Sequence, residues 1–128
     1  MDATMSAERA QEWSELHDRI VNLTANPVVL LASDGTTVLG EWPAGNPPAR
    51  VRMQYLPSGT VGSVPLHREE PDGVRNLPDE VSGIYLIVSR VVAAAALMEQ
   101  PERRDLLVPG QPRHVGGRTT GTHQLVRV

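Results

Sequence analysis

The stretch that decides the fold is residues 83–110, which read GIYLIVSRVVAAAALMEQPERRDLLVPG. The apolar run 84–88 does not alternate and predicts a strand covered on both faces, and residues 106–108 predict a second, short strand. Between them, Arg90 to about Gln100 predicts a helix, because four consecutive alanines have the best helix propensity and Pro101 marks an end. The helix is apolar on nearly every side, which predicts that it is largely buried. The unit is long enough for a crossover between two parallel strands.

Ser89 and Arg90 stand where the first strand meets the helix, and two interpretations are open. Ser89 is placed to act as an N-cap, its hydroxyl accepting from a first-turn N–H group. Alternatively, Ser89, Arg90 and the unpaired N–H groups of the helix bind a phosphate or carboxylate. In parallel strand-helix-strand units, ligands lie beyond the carboxyl ends of the strands, which is this end.

The same topology separates Arg103 and Arg104 from that site. A crossover helix carries the chain back to the opposite end of the sheet, where cations suit the helix C-terminus and Asp105 is a ready partner. Groups better placed to join Ser89 follow the second strand: Gly110, Arg113, His114 and Arg118.

The remaining chain predicts a helix followed by a β-rich body. An apolar stripe of Ala10, Trp13, Leu16 and Ile20 predicts an N-terminal helix over residues 6–19, packed on the outside of the body or on another subunit. Asp34-Gly35 lies between two β-prone runs and predicts a hairpin. The other expected elements are a half-buried strand 49–56, a turn 57–59, a partner strand 63–68, a surface loop 69–82, a loop 111–122 and a final strand 123–128.

Together these elements predict one domain, 1–128, with residues 1–5 disordered, the helix 6–19 and a β-rich body over 20–128. The predicted fold class is α+β: a small, mainly antiparallel sheet with hairpins, one strand-helix-strand crossover and an N-terminal helix.

Composition narrows the function classes. The 128 residues carry a net charge of −3, with 12 basic residues that are all arginine, and this balance argues against nucleic-acid binding. No apolar run approaches the roughly 20 residues that span a bilayer, so we expect no membrane association. The N-terminus does not resemble a signal peptide, which makes the cytoplasm the expected location. Cysteine is absent, which removes disulfides and thiol catalysis.

The sequence shows no catalytic constellation. The four histidines, His17, His67, His114 and His123, lack metal-ligand spacing, and no nucleophile elbow occurs. We therefore predict no catalytic residues, no metal and no cofactor, and favour a protein that is not an enzyme. Residues 116–122 are rich in glycine and threonine, and either curl into a nest of N–H groups or form a flexible loop. Arg50 and Arg52 share one strand face, which is either solvated or faces an acidic partner or ligand.

Three segments resemble a family of small proteins of actinobacteria and their phages. Residues 22–28 read Asn-Leu-Thr-Ala-Asn-Pro-Val, where that family opens with Asn-Leu-Thr-Pro-His-Pro-Val. The later matches are the Val-Ser-Arg of residues 88–90 and the Arg-Asp-Leu-Leu-Val-Pro of residues 104–109. Ala25 and Asn26 stand where the family has Pro and His, so a role of that His does not carry over. The family has no established function, and the resemblance implies only a small bacterial or phage domain.

From the sequence we predict a non-enzymatic binding protein that sequesters a small anionic, nucleotide-like ligand. The candidate ligand-binding residues are Ser89 and Arg90, with Arg113 and Arg118 as weaker candidates, through charge-assisted hydrogen bonds to phosphate. The alternative is a protein-protein interaction module, or a self-associating one, that uses the N-terminal helix and the strand face of Arg50 and Arg52.

Overall fold

The computed structural model describes residues 17–128, of which 53% lie in strands and 11% in helix. In chain order the elements are β1 (Ile20–Asn22), β2 (Val28–Leu31), β3 (Val38–Trp42), β4 (Arg50–Val61), β5 (Val64–Arg75), β6 (Tyr85–Ile87), α1 (Arg90–Glu99), β7 (Leu106–Val115) and β8 (Arg118–Arg127). Most of the predicted N-terminal helix, and all of the predicted disordered segment 1–5, lies outside the described residues.

Six strands form one nearly closed, barrel-like sheet in the order β1-β6-β7-β8-β2-β3. The pairs β1–β6, β6–β7 and β8–β2 are parallel, whereas β7–β8 and β2–β3 are antiparallel. The predicted α+β class with a small, mainly antiparallel sheet is therefore wrong: the protein is mostly β, and its sheet is mixed. The prediction failed because the parallel pairs β1–β6 and β8–β2 join segments that are far apart in the chain, and no local sequence pattern reveals such pairing.

The two edge strands of this sheet meet through side chains. The Asn22 amide of β1 donates to the Trp42 carbonyl of β3 at 3.3 Å. The Trp42 indole N–H donates to the His17 carbonyl at 3.2 Å, and the His17 ring stacks on the indole with centroids 4.9 Å apart. These contacts form a seam between β1 and β3, where the backbone ladder is missing.

The strand-helix-strand unit of residues 84–108 is present, and β6 and β7 run parallel with Leu86 opposite Leu106. The hydroxyl of Ser89 accepts from the backbone N–H of Val92 at 3.2 Å, so Ser89 is the N-cap of α1. Val92, Ala93, Ala95 and Ala96 of the helix are buried. The prediction that the helix is largely buried is only partly correct, because Val91 and Met98 are 63% and 80% exposed on its outer side.

A buried ion pair lies at the C-terminal end of this helix. The guanidinium of Arg103 donates to both carboxylate oxygens of Asp105, at 2.7 and 3.0 Å, and to the Gln100 amide oxygen at 3.1 Å. It also donates to the Pro78 carbonyl, which ties the loop after β5 to the helix. Arg103 is therefore a structural residue at the end of the sheet opposite Ser89, as the crossover topology predicts.

The predicted hairpin at Asp34-Gly35 joins β2 and β3, but its loop is longer than a two-residue turn. The Asp34 carboxylate accepts from the backbone N–H groups of Thr36 and Thr37, at 2.9 and 2.8 Å, and from the Thr37 hydroxyl. These bonds lower the pKa of Asp34 to about 2. Because Thr36 and Thr37 belong to this loop, β3 begins at Val38.

Strands β4 and β5 form a separate two-stranded ribbon, which we call the arm. The chain turns at Gly62-Ser63, between the paired residues Val61 and Val64. The turn predicted at residues 57–59 is instead a bulge, with Gly59 at φ 84. Residues 69–75, predicted as loop, continue β5 because they pair with the base of β4.

A second ribbon is made by β7 and β8, joined at Gly116 and Gly117, whose φ angles are 58 and 79. Both angles suit a tight hairpin turn that only glycine adopts without strain. The expected loop 111–122 is instead the end of β7, the turn and the start of β8, and the expected final strand 123–128 is the second half of β8, which runs from Arg118 to Arg127. The two alternatives considered for residues 116–122, a nest of N–H groups and a flexible loop, are both wrong for residues 118–122, because these residues pair with β7. No helix within residues 17–128 is long and apolar enough to cross a membrane.

Candidate functional site

A cavity of about 850 Å³ opens beyond the carboxyl ends of the parallel strands β1 and β6 and beside the middle of β7. It is bounded by the β1–β2 loop, the N-terminus of α1, the middle of β7 and the first half of β8. The volume is in the range of small-molecule sites, and the position is the one where parallel sheets bind ligands.

Ser89 and Arg90 form the basic side of this cavity. Both side chains are exposed, and the N–H groups of Arg90 and Val91 have no partner within the helix because it begins there. Ser89 therefore acts as the N-cap of the helix, as one of the two interpretations predicts, and it also lines the cavity. The structure places Arg90 beside the free end of the helix, where an anion gains from both the guanidinium and the helix dipole.

Among residues 17–128, Arg90 is the single charged residue that lines the cavity. None of the carboxylates within residues 17–128 forms an ion pair with it. The lining residues with neutral polar side chains are Thr24, Asn26, Ser89, Gln111, Thr119, Thr120 and Thr122. The cavity therefore contains one positive charge together with hydroxyl and amide groups. Such groups can form hydrogen bonds with the hydroxyls of a sugar and with the edges of a base.

The β1–β2 loop is held in place by a turn centred on Asn22. The Asn22 carboxamide oxygen accepts from the Thr24 backbone N–H at 2.9 Å, and its amide donates to the Asn26 carbonyl at 2.8 Å. Asn22 is 5% exposed, and its polar atoms are satisfied. The Asn-Leu-Thr segment is thus explained structurally: it presents Thr24 and Asn26 to the cavity on a rigid loop.

The middle of β7 presents backbone and side-chain groups to the same cavity. Gln111 has a φ of 47, in the left-handed region that a non-glycine residue before proline rarely adopts. Its neighbour Gly110 is close-packed, since a Cβ there would lie 2.6 Å from Val126 Cγ2. The Gly110 carbonyl accepts from the hydroxyl of the buried Thr122. Strained residues of this type cluster at binding sites, and Gln111 was not singled out from the sequence.

The structure separates the four predicted ligand-binding residues. Ser89 and Arg90 both line the cavity, and so does Gly110. Arg113 lies farther along β7 and covers the β2–β3 loop, where a Cβ on Gly35 would be 2.8 Å from its Cζ. Arg118 is exposed at the far end of the β7–β8 ribbon, next to the turn, and His114 bonds Thr119 there at 3.2 Å.

A second cavity, of about 880 Å³, lies along the seam between β1 and β3. Its lining includes the carboxylate of Asp18 and many apolar residues, a combination poorly suited to an anion. Across residues 17–128, no group of three or more acidic or histidine side chains is arranged to hold a metal ion.

No protein-family model, curated protein or solved structure matches this chain. The resemblance to the actinobacterial and phage family therefore stays a prediction.

Proposed function

We propose that this protein binds a small anionic, nucleotide-like ligand in the cavity at the carboxyl ends of β1 and β6 and beside the middle of β7, without catalysing a reaction. The observation that supports the proposal best is the placement of Arg90, which among residues 17–128 is the lone charge in a cavity otherwise lined by hydroxyl, amide and apolar groups. A phosphate at the first turn of α1 would accept from the backbone N–H groups there and from the guanidinium. The cytoplasm is the proposed compartment.

Ser89 and Arg90 are the residues on which this function depends. The threonine-rich start of β8 and the amides of Asn26 and Gln111 would contact the sugar and base. Arg113 and Arg118 lie outside the lining, so a contribution from either would require a ligand that extends along the β7–β8 ribbon.

The test is a thermal-shift screen of the full chain with mononucleotides and cyclic dinucleotides. A ligand that binds only the folded state raises the melting temperature by mass action. We expect at least one phosphate-bearing compound to do so and its nucleoside to do less. Arg90→Ala should abolish most of the shift, and the matched control Arg104→Ala, an exposed arginine at the other end of the sheet, should retain it.

Two results would refute the proposal: the absence of a shift with every phosphate compound, or a shift that survives Arg90→Ala. Arg113→Ala and Arg118→Ala form a separate comparison, because loss of the shift in either variant would extend the site along the ribbon.

The alternative function, a protein interaction module, is favoured by the arm. Its tip is unusually apolar for an exposed ribbon, with Val61 65% and Val64 58% exposed. The N-terminal helix invoked for this module lies almost wholly outside the described residues. Loss of a co-purifying partner on shortening the arm would favour this function over ligand binding.

A further inference from the structure

The base of the arm carries two arginines in direct opposition. Arg50 of β4 pairs in register with Arg75 of β5, and both side chains are exposed. Residues directly opposite on an antiparallel ribbon share one face with their Cβ atoms about 5 Å apart, and like charges there repel. Neither guanidinium forms an ion pair with a carboxylate of residues 17–128.

This pair has no visible structural purpose. The neighbouring pair, Val51 and Val74, faces the other way and packs against the core of the body. The arginines therefore project from the opposite side of the ribbon, away from that core. Arg52, on the same side, contacts the Asp72 carboxylate at 3.8 Å, which leaves Arg50 and Arg75 as excess positive charge.

The same side of the arm becomes apolar toward its tip. We call it the outer face, and by strand alternation and register it comprises Arg50, Arg52, Gln54, Leu56, Val61, Val64, Leu66, Arg68, Glu70, Asp72 and Arg75. Arg68 and Glu70 neutralise each other in its middle at 2.9 Å. The outer face therefore has a positive base, a neutral centre and an exposed apolar tip.

The edges of the arm resist addition of another strand. Pro57 in β4 and Pro65 and Pro71 in β5 lack the N–H group that a ladder requires. Prolines at such positions protect a ribbon against edge pairing. A partner would therefore contact the arm through side chains of its outer face and would not extend its sheet.

We propose that the outer face of the arm docks a segment of a protein partner that carries a cluster of carboxylates followed by apolar residues. Carboxylates would bridge Arg50 and Arg75 and remove their mutual repulsion, while the apolar residues cover Val61, Val64 and Leu66. Because the carboxylates match the base of the arm and the apolar residues match its tip, the segment can lie along the arm in only one direction. This surface is separate from the cavity, and its proposal does not depend on the nucleotide-like ligand.

The test measures fluorescence anisotropy of a labelled peptide that has a block of glutamates followed by a block of leucines and valines. We expect the full chain to bind it at low salt and Arg50→Gln/Arg75→Gln to weaken binding about fivefold to tenfold, since two exposed charge pairs are removed. The control Arg104→Gln removes an exposed arginine elsewhere and should leave the affinity unchanged. Replacing the glutamates of the peptide by glutamines should remove the difference between the double variant and the parent protein.

The melting temperature of the variants supplies a second readout. Because the pair repels in the unbound protein, Arg50→Gln should leave the melting temperature unchanged or raise it. A clear fall would show that the arginines are structural and would overturn the proposal. Three other results would also overturn the proposal: no peptide binding at low salt, equal binding by the double variant and the parent protein, or tighter binding of a single-stranded oligonucleotide than of the peptide.

Discussion

At the scale of single residues, two carboxylates lie in opposite environments, one exposed to solvent and one buried. Asp34 is fully exposed and organises a loop by accepting from Thr36 and Thr37, whereas Asp105 is buried and needs Arg103. The hydrogen bonds that Arg103 donates to the Asp105 carboxylate also raise the pKa of Arg103, which keeps the buried guanidinium charged. The two sites therefore predict different responses to pH and to substitution.

The hydrogen bonds of Asp34 make the stability of the β2–β3 hairpin depend on acid. Its pKa falls from 3.8 to about 2 on folding, mainly through the bonds to Thr37. A lowered pKa contributes stability that is present above pH 3.8 and is lost as the pH falls toward 2. We expect Asp34→Asn to reduce the change in melting temperature between pH 4 and pH 2, measured by circular dichroism. An unchanged pH profile would contradict this assignment.

Removing the guanidinium from the buried pair should be costly. Arg103→Met leaves the Asp105 carboxylate buried without its partner, and we expect the free energy of unfolding to fall by about 3–5 kcal/mol. The double variant Arg103→Met/Asp105→Leu removes both charges and should recover most of that loss. Urea denaturation of both variants checks the prediction, and a double variant no more stable than the single one would contradict it.

At the scale of elements, the strand-helix-strand unit was predictable, whereas the two ribbons were predictable only in part, through the strands expected at residues 49–56, 63–68 and 123–128. Residues 84–108 carry a buried apolar run, an alanine helix and a proline stop, and each local preference agrees with the final structure. By contrast, residues 69–75 of β5 and residues 118–122 of β8 have polar sequences, so no hydrophobic period marks them as strands. The Gly116-Gly117 pair was the available signal for the β7–β8 hairpin, but it was interpreted as part of a flexible or anion-binding loop.

The residues of the candidate site were predictable only where neighbouring segments of the chain determine their positions. Ser89 and Arg90 follow from a strand meeting a helix, a local event. Gln111 and the threonines of β8 reach the cavity through long-range pairing, which the sequence does not show. Arg113 and Arg118 were grouped with Ser89 because the path of β7 beyond Gly110 could not be inferred.

Capping and ligand binding by the start of α1 can be separated experimentally. Ser89→Ala removes the hydroxyl that accepts from Val92 and should cost about 1 kcal/mol of unfolding free energy. Ser89→Thr should retain most of the stability. Arg90→Ala changes an exposed side chain and should alter stability by less than about 0.5 kcal/mol. Chemical denaturation without ligand checks all three, and a large loss in Arg90→Ala would show that this arginine supports the fold.

At the scale of the whole molecule, the described residues 17–128 join the barrel-like body to the arm at the base of the arm, where Val51 and Val74 pack against the core. Met53 and Pro71 are paired across the ribbon, so residues 54–70 can be replaced by Asn-Gly while the two strands stay connected. We expect this shortened chain to fold and to keep the thermal shift given by a phosphate ligand, while binding to the acidic peptide is lost. Loss of the nucleotide response in a folded, shortened protein would show that the two surfaces are coupled.

The seam between β1 and β3 has a further consequence for the native-state dynamics of the body. A ladder of backbone hydrogen bonds opens cooperatively, whereas a few side-chain contacts can separate one at a time. Amide hydrogen exchange should therefore be fastest, among the body strands, along the seam edges of β1 and β3 and slowest at Leu86, Leu106 and Val108, which lie in the most buried part of the sheet. The body would then be a barrel that opens along one line without unfolding, and mutations at Asn22 or Trp42 would make such openings more frequent.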